Sequence, residues 1–304
     1  MPHLQAYENY LIANDKAPQT VRGYLSDLRQ FTRWFEQSTG EAFEPQAITP
    51  SDVRAYRDYL FVVKRRKANT INRQLMSLRS YMAFAVRQGM LEQNPVEAIK
   101  AVQQVSQAPR WLDKKEQYAL QRAIEKDLQI AQLRYPVRVY TRKRDAAMVT
   151  LILHTGLRLS ELLALRLADI ELSERKGQLQ VLGKGRKQRT IPLNAEARKA
   201  VQSWLQVRPE VAANDMVFLA LEQTSEGSMS SRSVQSAVRR LGQDAGLPEL
   251  SPHALRHTFA KNLVDAGVSL EKVAALLGHS SLNTTRVYIT PGQQDLERAV
   301  DQIG

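Results

Sequence analysis

Apolar residues recur at helical spacing through nearly all of this 304-residue chain, and the rhythm fails most plainly at AVQQVSQAPR, residues 101–110. That stretch has no apolar stripe and contains Pro109, so no regular helix runs through it. It divides the sequence into a helical unit over 1–100, a linker over 101–110 and a second unit over 111–304, and a chain of this length suits two domains. In the first unit Val21, Tyr24, Leu25, Leu28, Phe31 and Phe35 fall on one helical face. A second helix follows Thr49, a capping residue, with Pro50 in its first turn. A third carries Ile71, Leu75, Leu78, Met82 and Ala85 and stops at Gly89. The run Lys64, Arg65, Arg66, Lys67 sits between the last two, a solvated loop by default and a phosphate contact if DNA is near.

In the second unit RDAAMVTLILHTG reads as an apolar helix ended by Gly156, and LRLSELLALRLADI as the next. The period then changes from 3.6 to two. Leu179 and Val181, then Ile191 and Leu193, flank GKGRKQ, which predicts a β-hairpin with a basic, Gly-rich turn. Helices resume after it. The last, 294–303, places Leu296, Ala299, Val300 and Ile303 on one face. The fold class is therefore mainly α with a small antiparallel β-sheet.

The formal net charge is +12, and both halves are basic: residues 1–105 hold 14 Lys/Arg against 10 Asp/Glu, the remainder 29 against 21. Such a surface attracts polyanions, and a nucleic acid held between two halves fits better than one basic tail. There is no cysteine, which excludes disulfides and thiolate catalysis. No apolar run reaches membrane-spanning length and no secretory leader is evident, so a soluble cytoplasmic protein without a membrane partner is expected.

SPHALRHTF is the densest chemical signal. Ser251 caps, Pro252 suits the first turn, and His253 and Arg256 lie three apart on one face, a natural phosphate site or simply an exposed cationic face. His253 and His257 have the spacing of HExxH, but Ala254 stands where its general base belongs, so no metal is expected. Arg158 follows Gly156 at a helix start with Glu161 three residues on, either a poised guanidinium or a weak surface pair. Lys184 lies at the hairpin tip; a P-loop is excluded because Gly185 follows it and Gln178 stands where the first glycine belongs. Tyr288 is one of ten tyrosines, and either packs or attacks phosphorus. No carboxylate cluster for Mg²⁺ is evident, so cations would replace a metal and no cofactor is expected.

Arg158, Lys184, His253-x-x-Arg256, His279 and Tyr288, in that order, with the wording TGLRLSEL, SPHALRHTFAKNLVDAG and LLGHSSLNTTRVY, resemble the tyrosine recombinase (lambda-type phage integrase) family, in its Xer-like and mobile-element branch. The resemblance implies a two-domain, C-shaped DNA clamp: a helical core-binding domain (SAM-like) plus the catalytic domain. It implies a site-specific recombinase working through a 3′-phosphotyrosyl intermediate and a Holliday junction, without metal or ATP. Arg158 and Arg256 would hold the scissile phosphate, Lys184 would protonate the leaving 5′ oxygen, and His253 would be the acid/base group near the nucleophile. His279 would complete the phosphate's hydrogen bonds, and Tyr288 would attack. Glu161 would orient Arg158, and His257 would pack or support. Lys64 to Lys67, Arg186 and Lys187 are candidate DNA contacts. The implied partners are double-stranded DNA with specific recombination sites, further copies forming a tetramer, and a partner recombinase or DNA-bending factor. The last helix would dock in a neighbouring protomer or in its own.

Two features depart from compact Xer-type members: a longer basic segment over 122–144, read as a DNA contact, a protein-contact loop or a neutral insertion, and an ending closer to mobile-element recombinases. These lean the biology towards integration, excision or resolution of a mobile element. The alternatives are chromosome or plasmid dimer resolution of Xer type, a type IB topoisomerase-like relaxing enzyme, and an accessory DNA-binding protein without catalysis.

Overall fold

A computed structural model describes residues 2–103, 109–183, 188–210, 215–220, 227, 229–279, 281–289 and 300. The chain forms two compact units, 1–106 and 107–304.

The first unit contains α1 (Pro2–Ala13), α2 (Pro18–Thr39), α3 (Pro50–Asp58) and α4 (Ala68–Arg87). Its core is the stripe expected on α2 and α4: Val21, Leu25, Leu28, Phe31 and Phe35 against Ile71, Leu75, Leu78 and Met82. Buried aromatics fill the space between, with Tyr56 edge-on to Phe31 at 5.0 Å. Thr49 and Asp52 close a capping box that starts α3. Polar contacts also cross the core: buried Asp27 on α2 pairs with Arg73 and accepts from Ser77 Oγ at 2.7 Å, both on α4. α3 ends in a π-helical turn, Tyr59–Val63, which leaves Phe61, Val62 and Val63 exposed. Lys64, Arg65, Arg66 and Lys67 follow as an exposed connection, with the Lys64 ammonium 5.4 Å from the Tyr59 ring centroid.

The second unit is built around α6 (Val139–Thr155), which packs against α5 (Lys114–Arg134), α8 (Ala195–Leu205) and α10 (Pro252–Asp265). Segment 122–144, read as a DNA contact, a protein-contact loop or a neutral insertion, is the second half of α5, a 3₁₀ turn at Pro136–Arg138 and the start of α6. Part of its basic charge is used inside the domain. Arg144 is buried, pairs with Asp145 at 3.0 Å and donates to the Leu219 carbonyl at 2.8 Å. Arg142 faces Asp127 at 3.4 Å, and Arg240 on α9 (Ser231–Asp244) bridges Asp127 and Asp145.

α7 is shorter than the sequence suggests. It spans Leu159–Ala164 and stops because the next residues pair with another extended segment: Val217 N–H donates to the Leu165 carbonyl and Leu167 N–H to that of Asp215, each at 2.8 Å. The rest of LRLADI forms a 3₁₀ turn, Leu167–Asp169, and Ile170 opens β1 (Ile170–Leu172), which pairs antiparallel with β2 (Gly177–Leu182); β2 pairs antiparallel with β3 (Gln188–Pro192). The sheet thus has three strands where the alternation predicted two. Leu179 faces Ile191 and Val181 faces Arg189, so Arg189 occupies a slot on the sheet's buried face. The hairpin tip with Lys184, Arg186 and Lys187, and all but Val300 of the helix expected over 294–303, lie outside the described residues.

Candidate active site

Three chain reversals converge in the second unit. α6 ends at Gly156, in left-handed conformation (φ 64°). A β-carbon there would lie 2.5 Å from the Phe259 ring and 2.7 Å from Leu277, so only glycine lets α6 end against α10 and α11 (Leu270–Leu277). α11 ends the same way at Gly278 (φ 63°), where a β-carbon would meet the Arg189 guanidinium at 2.8 Å. α10 begins at Ser251, whose hydroxyl accepts from Ala254 N–H at 3.2 Å.

Arg158 caps α7. Its backbone N–H donates to Glu161 Oε2, its Nη1 to Glu161 Oε1 and its Nη2 to the Gly278 carbonyl, each at 2.8 Å. The expected Arg158–Glu161 pair therefore exists, and its carboxylate is buried, not at the surface. A residue missed in the sequence completes it. Arg189 grips the same carboxylate with two bonds of 2.9 and 2.8 Å, and its Nε donates to the Leu276 carbonyl at 2.9 Å. Burial alone would raise the Glu161 carboxyl, but hydrogen bonds from Arg189 and Arg158 overcome it and bring it down to about 2. The available signal was strand alternation: Arg189 shares the face of Val181 and Ile191.

Arg256 is buried on α10. It donates to the Gly156 and Leu277 carbonyls, the latter at 2.8 Å, and its Nη2 lies 3.0 Å from His279 Nε2. Burial and the neighbouring Arg158 lower its pKa to about 10, so it remains a cation at neutral pH. His279 is also 2.8 Å, through Nδ1, from Thr285 Oγ1, on the four-residue helix α12 (Asn283–Arg286). Burial, then Arg256 and Arg158, bring its pKa down to about 4.

Tyr288 is 2% exposed, packed in a small cluster with Ala260, Val273 and Leu277. Its hydroxyl lies 2.7 Å from His257 Nδ1. The two histidines of α10 lie differently towards it. His257, expected to pack or support, meets the tyrosine hydroxyl. His253, expected beside the nucleophile, is exposed, its ring 6.5 Å from that of His257. Burial, then His253 and Arg256, lower His257 to about 4, so it is neutral at pH 7. Burial raises the Tyr288 phenol while Arg256 and Arg158 pull it back.

Arg158 with Glu161, Arg256 with His279, and His257 with Tyr288 thus form three hydrogen-bonded pairs around the ends of α6, α11 and α12. Beside them opens a cleft of about 880 Å³, lined by Arg158, Leu182, Arg189, Gly278, His279 and Thr284. Arg158 lines that cleft, buried Arg256 bonds His279, which also lines it, and a phenol with a neutral imidazole at its hydroxyl follows α12. That set suits a phosphodiester and a tyrosyl nucleophile.

The second unit carries the signature of the phage integrase family over residues 110–294, and residues 4–89 match the SAM-like N-terminal domain of phage integrases. The chain belongs to this family, the tyrosine recombinases, enzymes that transfer DNA strands. It is 33% identical to the tyrosine recombinase XerC of Chlorobaculum parvum, over 95% of this chain and 88% of that one. It is 30% identical to XerC of Psychromonas ingrahamii, over 99% and 95%. Among solved structures, XerH site-specific recombinase bound to a palindromic difH substrate superposes with a TM-score of 0.74 at 23% identity, over 95% of this chain and 81% of that one. The Tn1549 transposon integrase with transposon right end DNA gives 0.67 at 19%, over 99% and 98%. At these identities the structural likeness speaks for the fold. Among the described residues no helix is long and apolar enough to cross a membrane.

Proposed function

We propose that this tyrosine recombinase cuts and rejoins double-stranded DNA at specific sites with Tyr288 as the nucleophile. The observation that carries the reading is that the Tyr288 hydroxyl bonds His257 on α10, the helix that also carries Arg256, while Arg256 bonds His279 and Arg158 bonds the carbonyl of neighbouring Gly278. The scissile phosphate takes the free donors of Arg158 and Arg256 and a bond from His279. Tyr288 Oη attacks phosphorus, the P–O5′ bond breaks, and a 3′-phosphotyrosyl ester forms. The phenolic proton has His257 Nδ1 as its immediate acceptor; the departing 5′ oxygen takes one from Lys184. Arginine charge fixed before the reaction stabilises the phosphorane-like transition state. The 5′-OH of another duplex then attacks the ester and returns the proton to Tyr288.

On this reading residues 1–100 are a core-binding domain that holds DNA against the catalytic domain 111–304 as a C-shaped clamp. The chain assembles as a tetramer on paired sites, with 294–303 as a docking helix. The XerC relatives support the Xer-like side of the resemblance more than the mobile-element side. Nicked duplexes selected by the protein from a random pool test the reading. Wild type should leave an SDS-resistant protein–DNA adduct, and Tyr288→Phe none. Relaxation of plasmids lacking any selected site, with no strand exchange, would point to a topoisomerase instead.

A further inference from the structure

Thr285 lies on α12 between His279 and Tyr288, and it is completely buried. It makes two connections. Its hydroxyl oxygen is 2.8 Å from His279 Nδ1, and its carbonyl accepts the Tyr288 backbone N–H at 3.1 Å. One side chain that takes no part in holding phosphate therefore links the proposed phosphate-binding histidine to the segment carrying the nucleophile.

Donor counting fixes what the hydroxyl does. A guanidinium only donates. Arg256 Nη2 lies 3.0 Å from His279 Nε2, so Nε2 presents its lone pair. A neutral imidazole with that lone pair carries its proton on Nδ1, and Nδ1–H donates to Thr285 Oγ1. In this form His279 has no N–H to offer a phosphate oxygen. When a phosphate draws away the Arg256 donor, Nε2 faces an acceptor and must hold the proton itself. Arg158, Arg189 and Arg256 surround the ring and oppose a second proton on it, against the single carboxylate of Glu161. The imidazole can instead change tautomer, leaving Nδ1 with a lone pair. A hydroxyl rotates and donates into that lone pair; a methyl group has no such bond to make.

We infer that Thr285 is a positioning residue of the phosphate site, whose hydroxyl accepts from His279 Nδ1 in the DNA-free enzyme and donates to it when His279 Nε2–H binds the phosphate. The inference rests on the phosphate-binding role proposed for His279, and its test separates the two. Single-turnover cleavage of the nicked duplex is compared in wild type, Thr285→Val, Thr285→Ser, His279→Ala and His279→Trp. Thr285→Val keeps the shape and loses the hydroxyl, and should cleave slower by a factor on the order of 10 to 100, since a small misplacement of a transition-state contact has that effect. Thr285→Ser should recover most of the rate. An indole has one fixed N–H and no tautomer to set, so adding Thr285→Val to His279→Trp should cost nothing further.

Thr285→Val cleaving at the wild-type rate overturns the inference. So does an equal loss in the wild-type and His279→Trp backgrounds, because the hydroxyl would then support the fold and not the imidazole. Should His279→Trp fail to fold, nitrogen-15 shifts of the histidine rings decide. DNA-free wild type should show His279 protonated at Nδ1 and Thr285→Val should lose that preference; an Nε2–H ring in DNA-free wild type overturns the inference. His279→Ala cleaving normally would sink the phosphate role of His279 itself, a different result from a silent Thr285→Val with an inactive His279→Ala.

Discussion

Glu161 is the residue on which the phosphate site depends most. Both carboxylate oxygens are shared between Arg158 and Arg189, and breaking a buried, doubly held ion pair leaves two cations close together without their counter-charge. Its folded pKa is depressed, so it contributes stability above the ordinary carboxylate range that is lost as pH falls from about 4.5 towards about 2. The shift corresponds to roughly 3 kcal/mol at neutral pH. Glu161→Gln should lower the melting temperature at pH 7 and flatten the fall of stability across that acid window; an unchanged acid profile would mean that the carboxylate is not held by the two arginines. The histidines of α10 give a second expectation. Replacing His257 by Asn should slow cleavage by on the order of 10²-fold, the range of a lost acid–base contact, while His253→Ala costs less. The opposite order, read from single-turnover rates, would return the role to His253. Arg158, Glu161, Arg256, His257 and His279 stood out because each sits near a cap, a glycine or a histidine repeat, and Tyr288 stood out only through the family resemblance. Arg189 and Thr285 did not: a lone arginine in a strand and a threonine in a polar turn carry no pattern until register and burial show what they face.

Helix ends place the chemistry. Two left-handed glycines stop α6 and α11, and their carbonyls, with that of Leu277, hold the arginine side chains. Gly156→Ala and Gly278→Ala should each destabilise the domain by about 1 kcal/mol or more from backbone strain alone. Gly278→Ala should also cut cleavage, because its β-carbon displaces Arg189 from Glu161; thermal melting and the adduct assay read the two effects separately. At this scale the sequence conveyed most helices through their 3.6-residue stripes and the hairpin through alternation at Leu179, Val181 and Ile191. It did not convey that α7 stops at Ala164, since LRLADI keeps a helix-like apolar spacing and only pairing with 215–217 draws it into an extended stretch and a 3₁₀ turn before β1. Nor did it convey that 122–144 is mostly helix. Of its cations, Arg142 and Arg144 are taken by Asp127 and Asp145 within the same stretch of chain, a pairing that only the fold shows.

For the whole molecule, the excess of 43 Lys/Arg over 31 Asp/Glu is spread over both units, and this is the footprint of a protein that meets phosphate along an extended surface. Binding should weaken steeply with salt, with a log–log slope of roughly 0.9 for each phosphate contact. Replacing Lys64, Arg65, Arg66 and Lys67 together by Ala should lower affinity for all duplexes alike and reduce that slope; loss at one sequence only would make the run a base reader. Arg158→Ala and Arg256→Ala should leave binding largely intact while slowing cleavage by orders of magnitude, since their charge acts on the transition state. The central claim is that Tyr288, out of ten tyrosines, carries the DNA. Its most direct test is mass spectrometry of the covalent adduct after trypsin and nuclease digestion. The account predicts a nucleotide 3′-phosphate on peptide 287–298, whose one tyrosine is Tyr288. A modified tyrosine on any other peptide would contradict it.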